Sequence, residues 1–250
     1  MDQRITEKLL KLNQKFYHDF GDAFAATRRR IQPGIRRILS EIPRDGAWLD
    51  LGCGSGALGA EWAASGRTGS YLGLDFSKTL LKEARENTAS LSNNQLSIHY
   101  EFADLMDPGW ADPYPERSFN GILAFASIHH IPSSDNHRRI FNSIQRLLCP
   151  DGFFIYSVWQ FQNSPKLMKR VLPWDAAEIN ASELEPGDTL LDWRCTLPGQ
   201  EKKIGMRYVH LFSAGELYKL AIDTGFRVVE AFYSDGAERN LALYQVLQVN

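Results

Sequence analysis

Residues 47–56 read Ala-Trp-Leu-Asp-Leu-Gly-Cys-Gly-Ser-Gly: a short apolar run that ends in an acid, then three glycines at alternate positions. The run predicts a buried strand that carries Asp50 to its C-terminal edge. Gly52, Gly54 and Gly56 then let the backbone turn tightly against a ligand, because glycine has no Cβ to oppose positive φ or hold a ligand at a distance. The surrounding pattern repeats this unit. Strands are predicted over 48–51, 71–75, 96–102, 119–125 and 153–159, with helices over 57–65, 78–91 and 136–148. Ser77 is the expected cap of the 78–91 helix. Strands spaced by helices imply parallel crossovers and an α/β, doubly wound, Rossmann-like sheet.

The flanks differ. From Ile5 to Ile31 apolar residues recur at helical spacing (Leu9, Leu12, Phe16, Phe20, Phe24), until Pro33 and Gly34 interrupt them. Pro33 can begin a further helix over 35–41, since proline is tolerated in a first helical turn. Residues 160–206 hold Pro165, Pro173, Pro186 and Pro198 without clear periodicity, and read as an insertion covering one end of the sheet. A helix over 214–224 precedes strands over 227–233 and 241–249. No crossover helix fits between those strands, so they are expected to pair antiparallel. The chain reads as one domain, 1–250, with an N-terminal helical extension over 1–45 and a substrate-side insertion over 160–210.

Composition narrows the class. With 250 residues, 44% hydrophobic, and a formal net charge of −2, the chain can bury a full core. No apolar run approaches the ~20 residues that span a bilayer, and the N-terminus is too charged for a signal peptide. Cys53, Cys149 and Cys195 have no metal-ligand spacing and suit reduced thiols, so a cytoplasmic protein without a metal site or membrane contact is expected. Residues 1–45 hold ten Lys/Arg against six Asp/Glu, a local net of +4, with Arg28, Arg29, Arg30, Arg36 and Arg37 close together. Such a patch suits phosphates or, more plainly, a solvated helix face.

Two cofactor classes claim the glycine turn. Gly54-Ser-Gly56-Ala-Leu-Gly59 satisfies the dinucleotide fingerprint, with Asp75 about 20 residues on. Against this, Asp50 just before the loop would confront a pyrophosphate with a carboxylate. It suits a ligand with a cationic end, such as S-adenosylmethionine (SAM), which carries an ammonium and a sulfonium there. Asp75 at the end of the second strand can accept ribose hydroxyls, and Asp104 after the third can accept an adenine amino group. Capping explains any one of these acids, but less readily three at successive strand ends.

With Leu49–Gly56, Asp75, Asp104, 119–131 and Leu147-Leu-Cys-Pro-Asp-Gly-Phe153, the chain resembles the class I SAM-dependent methyltransferases across residues 40–250. The resemblance implies a seven-stranded sheet with its last strand reversed. It also implies SAM bound over the strand edge by Asp50, Gly52, Cys53, Gly54, Gly56, Asp75, Phe76, Asp104, Leu105 and Phe125. Asn120 stands where that family commonly has Asp, a position that supports the strand.

Four further stretches, 16–28, Ala126-Ser-Ile-His-His130 with Arg138-Arg139, 187–193 and 207–217, are similar to the tRNA wobble-uridine (5-carboxymethyluridine) methyltransferases. They also resemble the methyltransferase part of the AlkB-homologue tRNA enzyme. Leu191-Asp192 replaces that family's Val-Pro before Trp193. The resemblance implies a tRNA acceptor and carboxymethyl ester formation, and its eukaryotic members work with a small zinc-binding activator protein. A carboxylate acceptor, ionised at neutral pH, needs orienting donors rather than a general base. Arg28, His129 and His130 are the candidate catalytic groups, and Arg207, His210 and Trp193 the candidate substrate contacts. A small-molecule carboxyl or hydroxyl acceptor is the alternative, in which a histidine acts as base.

Overall fold

The computed structural model describes residues 1–26, 30–195 and 203–249, without the side chains of 21–26, 195 and 203. Two helices, α1 (Gln3–Ala26) and α2 (Pro33–Glu41), precede an alternating run: β1 (Ala47–Leu51), α3 (Ala57–Ala64), β2 (Gly69–Asp75), α4 (Lys78–Thr88), β3 (Leu96–Phe102) and β4 (Phe119–Phe125). The run continues through α5 (Ser134–Leu147) and β5 (Leu148–Trp159). Beyond it lie α6 (Pro165–Met168), β6 (Val171–Leu172), β7 (Asp188–Cys195), β8 (Lys203–His210), α7 (Ala214–Asp223), β9 (Phe226–Ser234) and β10 (Ala242–Val249).

The main sheet has the order β3-β2-β1-β4-β5-β10-β9. β1 to β5 pair in parallel, and β10 enters antiparallel to both β5 and β9. Strand order reverses where β1 meets β2 on one side and β4 on the other, the place where open α/β sheets leave a crevice. Trp48, Leu49, Ile122, Leu123, Phe154 and Ile155 are fully buried in the central strands. Such continuous apolar runs are what a sheet covered on both faces requires. β5 begins five residues earlier than its expected start at 153. It runs through Pro150-Asp151-Gly152, where Asp151 takes φ 61° and the register against β4 shifts. Asn120 Oδ1 accepts the Ala47 N–H at 2.8 Å, tying β4 to the start of β1.

The insertion is more ordered than its sequence suggests: β6, β7 and β8 form a separate antiparallel sheet. Leu190, Leu191, Asp192 and Trp193 are all buried in succession. Both faces of β7 are covered, so the period-2 alternation that marks a strand is missing.

β8 is an edge of this small sheet, and α1 covers it. The Asn13 carboxamide accepts the Tyr208 N–H at 2.8 Å and donates to Tyr208 O at 3.2 Å, as a neighbouring strand would. It also donates to His130 O at 3.0 Å. One buried amide therefore joins α1, β8 and the turn after β4. α2 is fixed at both ends. Asp235 accepts the Gly34 N–H at 2.9 Å in its first turn, and Arg67 donates to Leu39 O and Pro43 O at its last. Each charge opposes the helix dipole where it sits. Gly34 itself cannot carry a side chain, since a Cβ would lie 2.4 Å from the Tyr244 ring.

Replacing Asn13 by Leu leaves a buried N–H and C=O of Tyr208 without this partner, and should lower stability by about 1–3 kcal/mol. Urea unfolding measures it; an unchanged midpoint would show that the amide does not anchor the helix.

Candidate active site

The glycine turn hangs from β2. Gly52 N and Cys53 N both donate to Leu74 O, at 2.8 and 3.0 Å. Gly52, Gly54 and Gly56 have φ of 79°, 55° and 79°, the left-handed region in which side chains are strained. At Gly52 space decides too, because a Cβ would stand 2.7 Å from Ser127 Cβ. At Gly54 it would meet nothing within 4 Å, so the turn faces open space there.

Asp75 completes the turn. Its Oδ2 accepts the Gly54 N–H at 2.9 Å and its Oδ1 the Ser77 N–H at 2.8 Å. Burial raises its pKa, and the backbone N–H groups oppose that shift. Ser77 also caps α4 through Leu80 N. Asp104 is held in the same manner, accepting the Met106 N–H at 2.9 Å.

These groups border a cavity of about 300 Å³. Its floor is the strand edge: Gly52, Cys53, Gly54, Asp75, Phe76, Asp104, Leu105 and Phe125. Ala126 sits at the end of β4 with φ 54°, its N–H directed at Ser157 O and Oγ, both at 3.1 Å. The cavity's roof comes from α1, whose Leu10, Asn13, Gln14 and Tyr17 follow one helical stripe. The Tyr17 ring meets Phe76 and His130 edge-on, with centroids 5.6 and 5.8 Å away. Two carboxylates line the cavity, and among the described residues no lysine or arginine does. A pyrophosphate would find no cation there, whereas a positively charged ligand would be attracted.

Asp50 lies elsewhere than the sequence suggests. It is buried beneath the turn, outside the cavity lining, and accepts a hydrogen bond from Tyr71 Oη. Burial pushes its pKa up to about 7, and the Tyr71 hydroxyl counteracts part of that rise. Asp50 lies two residues before Gly52, at the end of β1, with the Tyr71 hydroxyl as its hydrogen-bond partner. Gly56 likewise stands behind the lining, where a Cβ would lie 2.9 Å from Ala84 and Tyr100 Oη. Cys53 reaches the cavity, but burial drives its thiol pKa upward, away from nucleophilic character.

The two histidines separate. His130 lines the cavity, with Nδ1 3.4 Å from Tyr208 O. His129 is buried behind it, its ring centroid 4.4 Å from that of His130, and its Nδ1 takes the Trp159 N–H at 3.3 Å. Arg207 is buried as well, its guanidinium carbon 4.8 Å from the centre of the Trp159 ring and 5.6 Å from that of Phe16. Trp193 packs on Phe16 and Phe20, at 5.6 and 5.3 Å. Arg28 lies outside the described residues.

His210 is remote from the cavity lining and belongs to a buried ion cluster. Nδ1 lies 2.8 Å from Asp188 and Nε2 2.8 Å from Glu216, the residue that also closes a capping box with Ser213 at the start of α7. Burial alone would favour the neutral ring, but the two carboxylates outweigh it and raise the pKa to about 9. Its neighbour His137, buried beside a cation, is pushed down to about 4.

Tyr17 and Ser127 fall in the stretches 16–28 and 126–130 singled out above, Tyr17 as a ring able to stack on cofactor or base, whereas Leu10, Asn13, Gln14 and Met106 were not legible as site residues.

Because the folded pKa of His210 exceeds its unfolded value of about 6.5, its ion pairing stabilises fully below that value and is lost as pH rises through 9. The loss should be on the order of 3 kcal/mol between pH 6.5 and 9.5. The thermal midpoint should fall across that window in the wild type, and less in His210→Asn, which starts lower at pH 6.5. Parallel curves would remove the ion cluster from the account.

A family model described as a methyltransferase domain matches residues 24–231. A protein of Encephalitozoon cuniculi that bears a methyltransferase name is 28% identical over 217 residues, 86% of this chain and 87% of that protein. The tRNA (carboxymethyluridine(34)-5-O)-methyltransferase of Schizosaccharomyces pombe is 22% identical over 233 residues, 87% of this chain and 89% of its own length. The Mus musculus protein of the same activity name is 24% identical over 188 residues, 71% of this chain, which spans only 26% of that longer protein. Among solved structures, a SAM-dependent methyltransferase from Methanosarcina mazei shares the fold with a TM-score of 0.63 at 19% identity, covering 88% of this chain and 98% of that one.

Proposed function

Since the chain belongs to the methyltransferase domain family, we propose that it transfers a methyl group from SAM to a carboxylate of a modified wobble uridine in tRNA, forming a carboxymethyl ester. The donor half of this reading rests on the cavity's charge. Its two lining carboxylates, Asp75 and Asp104, without a lysine or arginine among the described lining residues, suit a cationic ligand rich in hydroxyl and amino donors. The open space at Gly54 suits close approach of such a ligand to backbone.

When bound, SAM supplies a methyl carbon activated by a sulfonium. The protein's task is then chiefly positioning. Asp75, held by two N–H groups, has lone pairs left to accept hydroxyls. Asp104 has the same capacity for an amino group, and the touching rings of Phe76 and Tyr17 offer an aromatic wall. Asp50 supports the turn from below.

The acceptor half rests on one observation, the buried guanidinium of Arg207. It sits against the rings of Trp159 and Phe16, and is linked to His130 through two rings, Trp159 and His129. A buried cation beside a methyl-transfer cavity favours an acceptor that is already an anion. At neutral pH a carboxylate, with a pKa of roughly 4, needs no base to become a nucleophile. His130 then serves as a hydrogen-bonding wall, and His129 fixes its ring. The similarity to the Schizosaccharomyces pombe tRNA enzyme over nearly the full length of both chains supports a tRNA carboxylate over a small-molecule one.

Incubation with SAM and tRNA from a strain lacking the endogenous activity should yield the methyl ester, detected by nucleoside mass spectrometry and abolished by mild alkaline saponification. Labelling confined to small-molecule fractions would overturn the RNA acceptor. Arg207→Gln should raise KM for the acceptor at least tenfold while leaving the Kd of SAM within twofold. Asp75→Asn should do the reverse, weakening SAM about tenfold or more, about 1.4 kcal/mol, by calorimetry. If both variants shift the same constant, the two halves of the cavity have been misassigned.

A further inference from the structure

The chain carries two groups of arginines, and their partners set them apart. In the N-terminal group, Arg36 donates to Glu61 at 2.8 Å, and Arg37 donates to Glu41 at 3.0 Å and also to Glu230. These guanidiniums already have hydrogen-bonded carboxylates, which a phosphate would have to displace. Charge-assisted pairs of that length are the strong ones.

The second group lies on the outer face of α5. Arg138 and Arg146 come no closer than 3.8 Å to Asp135 and 3.9 Å to Glu116, beyond hydrogen-bond length, and Arg146 Nη2 donates to Ala111 O at 3.1 Å, a neutral partner that fixes the guanidinium without neutralising it. Both acids are well exposed, at 82% and 67%, so water screens these contacts. Together with Arg139, Asn142, Ser143 and Asp135, the two arginines line a shallow groove. The opposite face of α5 is wholly buried through Ile140, Phe141, Ile144 and Leu147, so the groove has a rigid floor.

Arg139 connects the groove to the cavity. Its guanidinium donates to Leu105 O at 3.0 Å, Met106 O at 3.2 Å and Asp107 O at 3.3 Å. Leu105 and Met106 belong to the cavity lining, so one side chain separates the two surfaces. The groove thus offers guanidinium forks plus the neutral donors of Asn142 and Ser143, next to the catalytic cavity. The chain as a whole has a formal charge of −2, so a polyanion gains nothing from the general field and needs a local surface.

We propose that the α5 groove binds the phosphodiester backbone of the RNA acceptor, through Arg138 and Arg146 with Asn142 and Ser143 as supporting donors. This rests on the RNA reading given above. Arg139 is spent on the cavity wall and acts as a positioning residue. Planar guanidiniums suit the paired oxygens of a phosphate.

The test is the salt dependence of tRNA binding and the steady-state kinetics of the full chain, comparing wild type with R138Q/R146Q. The double variant should reduce the slope of log Kobs against log salt by about 2, raise KM for tRNA about tenfold, and leave kcat and the Kd of SAM within twofold. R138K/R146K, which keeps the charge, should retain most of the slope. R36Q/R37Q, on arginines already paired, should leave the slope nearly unchanged. An unaltered slope and KM in R138Q/R146Q, or a larger effect in R36Q/R37Q, overturns the groove while tRNA methylation by the wild type stands. If the wild type neither binds nor methylates any RNA, the RNA acceptor falls and the groove with it.

Discussion

The Asp75 carboxylate holds the site together. One oxygen takes the N–H of Gly54 and the other the N–H of Ser77. The turn after β1 and the entry to α4 are thereby fixed to the end of β2. The left-handed backbone of the turn then follows. Gly52 can approach Ser127, and Gly54 faces open space rather than another element. Ionised hydrogen bonds of this kind are among the stronger ones a protein makes, and burial of the carboxylate keeps water from competing for them. The part of the cavity floor built from the glycine turn is backbone, and Asp75 anchors it.

The cavity has a polarity that matches the two halves of a methyl transfer. Acids lie along the strand edge, and a buried arginine stands behind the histidine pair at the other side. α1 is held over the cavity by Asn13, which ties it to β8 and to the turn after β4, and by the buried side chains of Ile5, Leu9 and Phe16.

The sequence made the main sheet legible because strands buried on both faces leave continuous apolar runs, and glycine and acid mark their C-terminal ends. The same logic failed in β7. Leu190, Leu191 and Asp192 are buried together there, so a covered strand looks like an irregular loop. For Asp50 the sequence marks the strand end but not its partner, the Tyr71 hydroxyl, which comes from the neighbouring strand. Asn13 gave no signal at all: a lone asparagine on an amphipathic helix reads as solvated, and only the open edge of β8, about 195 residues away, gives it a role. For Arg36 and Arg37 the sequence left a phosphate patch and a solvated helix face both open, because Glu61 and Glu230, which pair with them, are distant in sequence.

The placement of β10 bears on how the molecule is made. Although it follows β9 in the chain, it lies inside the sheet, between β9 and β5. Asp235, which holds Gly34 of α2, lies just before it. During synthesis, therefore, one edge of β5 stays unpaired until β10 has emerged, and α2 lacks its anchor until Asp235 has. Open strand edges are where nascent chains associate wrongly. The interval between the emergence of β5 and that of β10, about 90 residues of chain, is thus the one in which this sheet is most open to wrong pairing.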